Sequence, residues 1–434
     1  MADVQPFAAW RYDLGHVGCL SDVVAPPYDV IDADLQQRLY ARSPCNVVRL
    51  ELTRPEPGDE GDDARYHRAD RWLRDWKHNG ILRQDPSPAL YVCHQTFTVD
   101  GVTHTRRGVL ARVRLEPFGQ GRIFPHEQTL AGPKADRLKL YHATLTQLSP
   151  VFGLYPDDGN AVQERLDAAV RRQPPLVADD HLGVRSSLWP LADPTIIRDV
   201  VAAFHAKPIY IADGHHRYET ACRLRDDLAA RGELAGDQDP AHFVLMALVS
   251  MSDPGLQVFP THRLVAGLPD LTAPQLADLL ADHFELTTLG TGPDAAAECW
   301  EHVETAPDQS VLGFGTQADG QWQTARLRRP DALDALAPDH SPAWRGLGVA
   351  RLHVLVLDHL LGPRLGAQLQ CQYVHRLVEV TTALAAKRVP LGVLVPPASV
   401  AQVATIAGQH EKMPPKSTYF YPKLLTGLVL YGLR

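Results

Sequence analysis

The run PIYIADGHHRYETACRLRDDLAA, residues 208–230, joins a short apolar, β-rich stretch to an amphipathic one through an Asp-Gly break. A buried strand that stops abruptly and feeds a helix is the building step of an α/β sheet. The flanks repeat the rhythm. VRSSLWPL reads as a strand, a helix is expected near 195–205, and HFVLMALVSM reads as a further buried strand after the helix of about 215–231. Residues 183–270 therefore predict a βαβ alternation.

The rest of the chain adds strands and helices without repeats. Residues 64–79 place Tyr66, Trp72 and Trp76 at helical spacing, with Gly80 as a stop. ALYVCHQTFTV and VTHTRRGVLARVRL form two strands joined by Asp100-Gly101, a hairpin signal. NVVRLEL, 46–52, reads as a strand, and APPYDVI, 25–31, as a Pro-restrained turn. Further on, helices are expected at about 273–283, 293–304 and 344–361, with strands near 309–316, 321–328 and 390–395. Asp319-Gly320 links the middle strands, and a terminal strand follows MPPKST. The fold class is thus mixed α/β (α+β). At 434 residues the chain exceeds one ordinary core, and three regions are expected: 1–150, 151–270 and 271–434.

Composition narrows the function classes. The net charge of −8 argues against a nucleic-acid surface, which carries a basic excess. Hydrophobic residues at 45% and charged residues at 22% fit a globular protein. Six scattered cysteines suggest neither a disulfide framework nor a thiolate metal site. No apolar run reaches the roughly 18 residues of a membrane span, and the start lacks a signal-peptide pattern. The expected location is cytoplasmic, with no membrane partner.

Chemistry concentrates at the 213–217 junction. Asp213 stands where a helix N-cap belongs, Gly214 permits close backbone approach, and the first-turn N–H groups attract anions. His215 and His216 add donors, and Arg217 can grip a phosphate with two bonds. Arg217 lies in phase with Ala221, Leu224 and Leu228, so its guanidinium should run along the sheet edge. His215 and Glu219, four apart, could share a metal, although no third ligand is evident.

PIYIADGHHRYETA resembles the Gly-x-x-Arg junction of the ParB/sulfiredoxin superfamily, and its Asp-Gly-His-His-Arg version resembles that of the free serine kinases. Over nearly its whole length the chain is similar to the domain-of-unknown-function family 1015. That resemblance rests on APPYDVI, NVVRLEL, FPHEQT with PKADRL, ADGHHRYETA, FPTHRL and MPPKSTYFYPKLLTGLVL. It implies a ParB/sulfiredoxin-like nucleotide-binding core with additional mixed-sheet subdomains. The implied activity is nucleotide-dependent phosphoryl transfer to a small hydroxyl compound such as L-serine, with Mg²⁺ and ATP or ADP. Two features of the superfamily are missing. His215 stands between Gly214 and His216 where sulfiredoxin has its cysteine, and no helix-turn-helix for DNA follows.

Other residues complete the candidate list. His126 and Glu127 precede Lys134, Asp136 and Arg137 in a polar loop spanning 121–137. Glu127 is the first choice of general base and Asp213 the second, unless Asp213 holds Mg²⁺; His216 joins them as a catalytic candidate. Lys134, Arg137, Lys416, Ser417, Thr418 and Lys423 are expected to hold phosphate. No Walker loop occurs, and Gly346-Leu347-Gly348 lacks the context of a dinucleotide fingerprint. Tyr28, Asp29, His126, His262 and Arg263 are candidate substrate contacts, while Asn46, Arg49 and Thr261 read equally well as structural polar groups. A phosphatase acting on phosphoserine and a nucleotide-responsive binding protein remain open beside the kinase, and the oligomeric state is not readable.

Overall fold

In the computed structural model, Asp100 and Gly101 take φ of 49° and 79°, the left-handed pair that a two-residue hairpin needs. Val99 pairs with Val102, and the strands Leu90–Val99 and Val102–Arg114 run antiparallel as far as Tyr91 opposite Leu110. They form the middle of a nine-stranded mixed sheet. The structure describes residues 2–61, 63–129, 131–366 and 368–434.

Two compact units emerge in place of the three expected regions. Unit 1 comprises Met1–Pro125, Thr129–Gln257 and Pro422–Arg434; unit 2 comprises His126–Gln128 and Val258–Tyr421. A division drawn along the sequence cannot show that unit 1 recovers the last residues of the chain.

Unit 1 is built on the nine-stranded sheet. Its path runs Ile123–Phe124, Ile209–Asp213, Val151–Tyr155, Phe243–Ser250, Val102–Arg114, Leu90–Val99, Arg185–Leu191 and Leu176–Asp179. The strands expected from VRSSLWPL, PIYIA and HFVLMALVSM are present as Arg185–Leu191, Ile209–Asp213 and Phe243–Ser250, with helices Pro194–Phe204 and His215–Ala230 between them. They do not form parallel βαβ units. Val151–Tyr155 separates Ile209–Asp213 from Phe243–Ser250, antiparallel to the first and parallel to the second. Periodicity reveals which side of an element is buried, not which way a strand runs.

Two local expectations are corrected. NVVRLEL is not a strand: Val48–Glu51 forms one helical turn with Val48, Leu50 and Glu51 buried. Asn46 explains this, because its Oδ1 accepts the Val48 N–H at 2.9 Å and its Nδ2 donates to the carbonyls of Asp22 and Val24 at 2.8 and 3.0 Å. Its side chain competes with the ladder bonds that the valines would otherwise favour. The polar stretch 121–137 is not loop throughout, since Lys134, Asp136 and Arg137 lie on the helix Ala131–Thr144.

Unit 2 holds a six-stranded sheet, in order Phe284–Thr291, Gln321–Leu327, Val311–Thr316, Leu391–Leu394, His262–Ala266 and Gln370–Val374, antiparallel throughout. Gly292–Glu304 and Leu377–Ala385 supply the apolar residues Ala296, Cys299, Val303, Val380 and Ala383 that cover one face. The helix expected at 344–361 is broken, and its last part, Arg351–Leu361, is a π-helix.

Candidate active site

Helix His215–Ala230 leaves the sheet directly after Asp213. Gly214, at φ 89°, is the N-cap residue, and no side chain caps this helix. The expectation that Asp213 caps it is therefore corrected: Asp213 is the last residue of the strand, and its carboxylate turns toward two cations. Oδ1 accepts from Lys423 Nζ at 2.5 Å, and Oδ2 accepts from Arg217 Nη2 at 2.7 Å. Burial alone would push this carboxyl up, but Lys423 and Arg217 hold it well below the usual carboxylate range.

Arg217 is 3% exposed, in line with the buried Ala221, Leu224 and Leu228. Its Nη1 donates to the Pro150 carbonyl. The guanidinium folds back over Gly214, so a Cβ there would come within 3.0 Å of Nε and Nη2. That closeness requires glycine, as does the positive φ. Burial lowers the basicity of Arg217, and Asp213, Asp29, Tyr28 and Glu51 raise it further than burial lowers it.

Around this centre unit 1 assembles a balanced charge network. The Arg137 guanidinium lies 4.3 Å from the centroid of the Tyr28 ring, with Nη1 2.8 Å from the Glu51 carbonyl and Nη2 2.5 Å from Asp136 Oδ2. Burial raises the Tyr28 hydroxyl to about 12, against the pull of Arg217 and Arg137. Ser149 donates to Glu51 Oε1 at 3.1 Å. Lys134 pairs with Glu219 at 2.9 Å, and Thr129 donates to the same Glu219 oxygen at 2.7 Å. Glu219 is thus engaged by a cation. Among the described residues no group of three or more His, Cys, Asp or Glu side chains is placed to hold a metal ion. His215 is buried, His216 half-buried and Asp29 exposed.

Sequence reasoning missed what holds Lys423. Gln95 Nε2 donates to the Lys423 carbonyl at 3.1 Å, and Arg106 Nη2 donates to the Pro422 carbonyl at 2.6 Å and to Gln95. Arg106 is 1% exposed, stacked on Phe152 with its carbon 4.6 Å from the ring centroid, and burial lowers it to about 10. The signal was present in an apolar central strand, TRRGVLARV, interrupted by arginine. Glu51, buried in the turn misread as a strand, was likewise overlooked.

The remaining candidates lie in unit 2. His126 Nε2 is 2.9 Å from Thr418 Oγ1, and the His126 carbonyl accepts the Met413 N–H at 2.7 Å. Ser417 is buried and donates to the Pro414 carbonyl at 2.5 Å, so its proton is directed inward and not at a ligand. Lys416 is exposed and Glu127 half-buried. His262 Nδ1 accepts the Val395 N–H at 3.3 Å, and Arg263 is buried among carbonyls. The sequence candidates therefore divide: Tyr28, Asp29, Lys134, Arg137, 213–217 and Lys423 in one unit, and His126, Glu127, His262, Arg263 and 416–418 in the other.

Residues 4–350 match the family described as "Protein of unknown function (DUF1015)". The chain belongs to the DUF1015 family. No curated protein matches this DUF1015 chain. Among solved structures it is similar to a free serine kinase in complex with AMP, at 11% identity over 69% of this chain and 83% of that one, with a TM-score of 0.33. A conserved hypothetical protein from Pyrococcus furiosus shows 12% identity over 70% and 89%, at 0.31. SbnI with C-terminal truncation from Staphylococcus aureus shows 10% over 73% and 85%, at 0.31. At such TM-scores the likeness carries no weight for mechanism. Among the described residues of the DUF1015 chain, no helix is long and apolar enough to cross a membrane.

Proposed function

We propose that this protein is a nucleotide-dependent phosphotransferase acting on a small hydroxyl compound, with free L-serine the first acceptor to test. The observation that carries the reading is the strand end at Asp213. There a carboxylate, a lysine and an arginine meet at a glycine-started helix of 16 residues, and helix starts and lysines favour phosphate. The first-turn N–H groups of the helix, His215, His216 and Lys423 would bind phosphate, and Lys134 would add charge from the neighbouring helix. Arg217 orients the junction through Asp213 and the Pro150 carbonyl.

The reaction would join the acceptor oxygen to the terminal phosphorus of the nucleotide and break the bond to the leaving phosphate oxygen, while the acceptor proton passes to a base. Asp213 is a poor base because two cations stabilise its ionised form. Mg²⁺ does not fit a protein-only site here, since both Asp213 oxygens are engaged by cations. It would arrive with the nucleotide, whose own oxygens would be its main ligands.

The test is incubation with ATP, ADP or CTP, Mg²⁺ and L-serine or O-phosphoserine, followed by phosphorus NMR. A phosphomonoester signal that depends on serine and nucleotide supports the kinase. Free phosphate released from phosphoserine would make the protein a phosphatase. Nucleotide binding without any new phosphorus species would leave a binding protein.

A further inference from the structure

Unit 2 contains a buried cation without a counter-ion among the described residues. Arg263 is 1% exposed, on the strand His262–Ala266. Nε donates to His353 Nε2 at 3.2 Å, Nη1 to the Thr261 carbonyl, and Nη2 to the carbonyls of Lys416 and Pro415 at 3.1 and 3.4 Å. All four acceptors are neutral. A guanidinium has five N–H groups, so one on Nη1 is left without a partner among the described residues.

A buried charge is ordinarily paired with an opposite one, because removal from water heavily penalises an isolated ion. Here the side chains facing the guanidinium are His353 from the π-helix, Tyr373 and Cys371 from the adjacent edge strand, His262 from its own strand and Thr261 just before that strand. None is an acid. The Thr261 hydroxyl is buried and has no hydrogen-bond partner among the described residues. Two orphaned polar groups therefore sit two positions apart in sequence, on either side of His262.

Two neighbours of the guanidinium reach the surface. Tyr373, 38% exposed, lays its ring 5.1 Å from the guanidinium carbon, and Lys416, whose carbonyl Arg263 holds, is exposed. His353 belongs to the 11-residue π-helix Arg351–Leu361, a conformation that is rare and recurs at functional sites.

We propose that Arg263, with the Thr261 hydroxyl, forms an oxyanion-binding site in unit 2, taking the carboxylate or phosphate group of a small ligand. The anion supplies the missing counter-charge, accepts from the unused Nη1–H and from Thr261, and lies beneath Tyr373. The site is carried by unit 2 residues alone and does not depend on the activity proposed above.

His353 reports on it. Because its Nε2 accepts from Arg263, the ring must be neutral, and burial followed by the charge of Arg263 lowers its pKa to about 4. An anion on Arg263 cancels that charge and lets His353 protonate more readily. The full chain, labelled at histidine, is titrated with pH by NMR in inorganic phosphate, sodium acetate, L-serine or AMP, with sodium chloride as control and His353→Gln to assign the signal. The proposal expects a saturable rise in proton affinity of His353 of about tenfold, one pH unit, in phosphate or in acetate, and none in chloride. Response to phosphate and AMP alone identifies a phosphate ligand; response to acetate and serine alone identifies a carboxylate. Thr261→Val, which keeps the shape, should weaken the effect several-fold, and Arg263→Gln should abolish it where that variant folds. A His353 midpoint that no oxyanion moves beyond the effect of chloride, or a Thr261→Val protein that responds like the parent, overturns the site.

Discussion

Lys423 places its ammonium 2.5 Å from the Asp213 carboxylate across 210 positions of sequence. The lysine belongs to the terminal segment that rejoins unit 1, and Gln95 and Arg106 fix the backbone from which it projects. Arg217 takes the other carboxylate oxygen. The end of strand Ile209–Asp213 is thus pinned from two directions, and the helix that begins at His215 inherits its position from that pin.

Removing the carboxylate should unfold the protein more easily. Asp213→Asn leaves the Arg217 guanidinium, whose side chain is 4% exposed, without its ion-paired carboxylate, at a cost on the order of 3 kcal/mol. Urea denaturation read by circular dichroism would show the lowered midpoint, and a change below about 1 kcal/mol would mean that the pair is solvated and weak. The acid dependence follows in sign. The folded pKa of Asp213 lies below its ordinary 3.8, so its contribution is complete above that pH and fades as pH falls further. Asp213→Asn should flatten this acid limb.

Gly214→Ala and Gly101→Ala separate backbone strain from crowding. Both glycines have positive φ, 89° and 79°, but a Cβ at Gly101 meets nothing within 4 Å, whereas one at Gly214 meets the Arg217 guanidinium at 3.0 Å. Gly101→Ala should cost about 1 to 2 kcal/mol for the left-handed backbone. Gly214→Ala should cost on the order of 1 kcal/mol more and displace Arg217 from Asp213. Equal losses in thermal unfolding of the two variants would remove the close approach from the account.

The junction was legible because its signals are local. An Asp-Gly break and an apolar period of 3.6 lie within 25 residues and needed no knowledge of the rest of the chain, and the Asp100-Gly101 hairpin was readable for the same reason. What failed depended on distance. Asn46 turns NVVRLEL helical by binding carbonyls 24 and 22 residues earlier, which no window over the valines could show. Asp213 looked like a cap because caps are the commonest local use of Asp before a helix; Lys423 and Arg217, acting together, outcompeted that use. Ser417 reads as a phosphate contact by composition, yet its hydroxyl donates to the Pro414 carbonyl of its own unit. The proposed activity was reached from residue types at the junction, and the structure adds which of those residues are already engaged with one another.

Lys134 offers a cleaner probe of phosphate binding than Arg217. Its ion pair with Glu219 is partly exposed, with side-chain exposures of 36% and 22%, and such pairs contribute about 1 kcal/mol or less. Lys134→Ala should leave thermal stability nearly unchanged and weaken ATP binding, measured by titration calorimetry, several-fold. Arg217→Ala would confuse the two effects by unpairing Asp213. Unaltered affinity in Lys134→Ala would remove this lysine from the phosphate site.

Unit 2 should lose stability in mild acid through His353. In the folded chain its pKa is lowered from 6.5 to about 4, by burial first and by Arg263 second. The unfolded chain therefore binds a proton as pH falls below about 6.5 while the folded chain does not, so stability drops with falling pH until the folded ring also protonates near 4. The loss across this window is about 3 kcal/mol. His262, lowered to about 3 by burial and by Arg263, adds a similar slope that extends to lower pH. His353→Gln keeps an acceptor for Arg263 Nε but cannot titrate, so it should remove about half of the slope between pH 6.5 and 4 and leave the His262 part intact. Urea midpoints of the parent and the variant across that range decide it, and a parent whose stability is flat from pH 6.5 to 4 would show that the His353 ring is accessible to protons in the folded state.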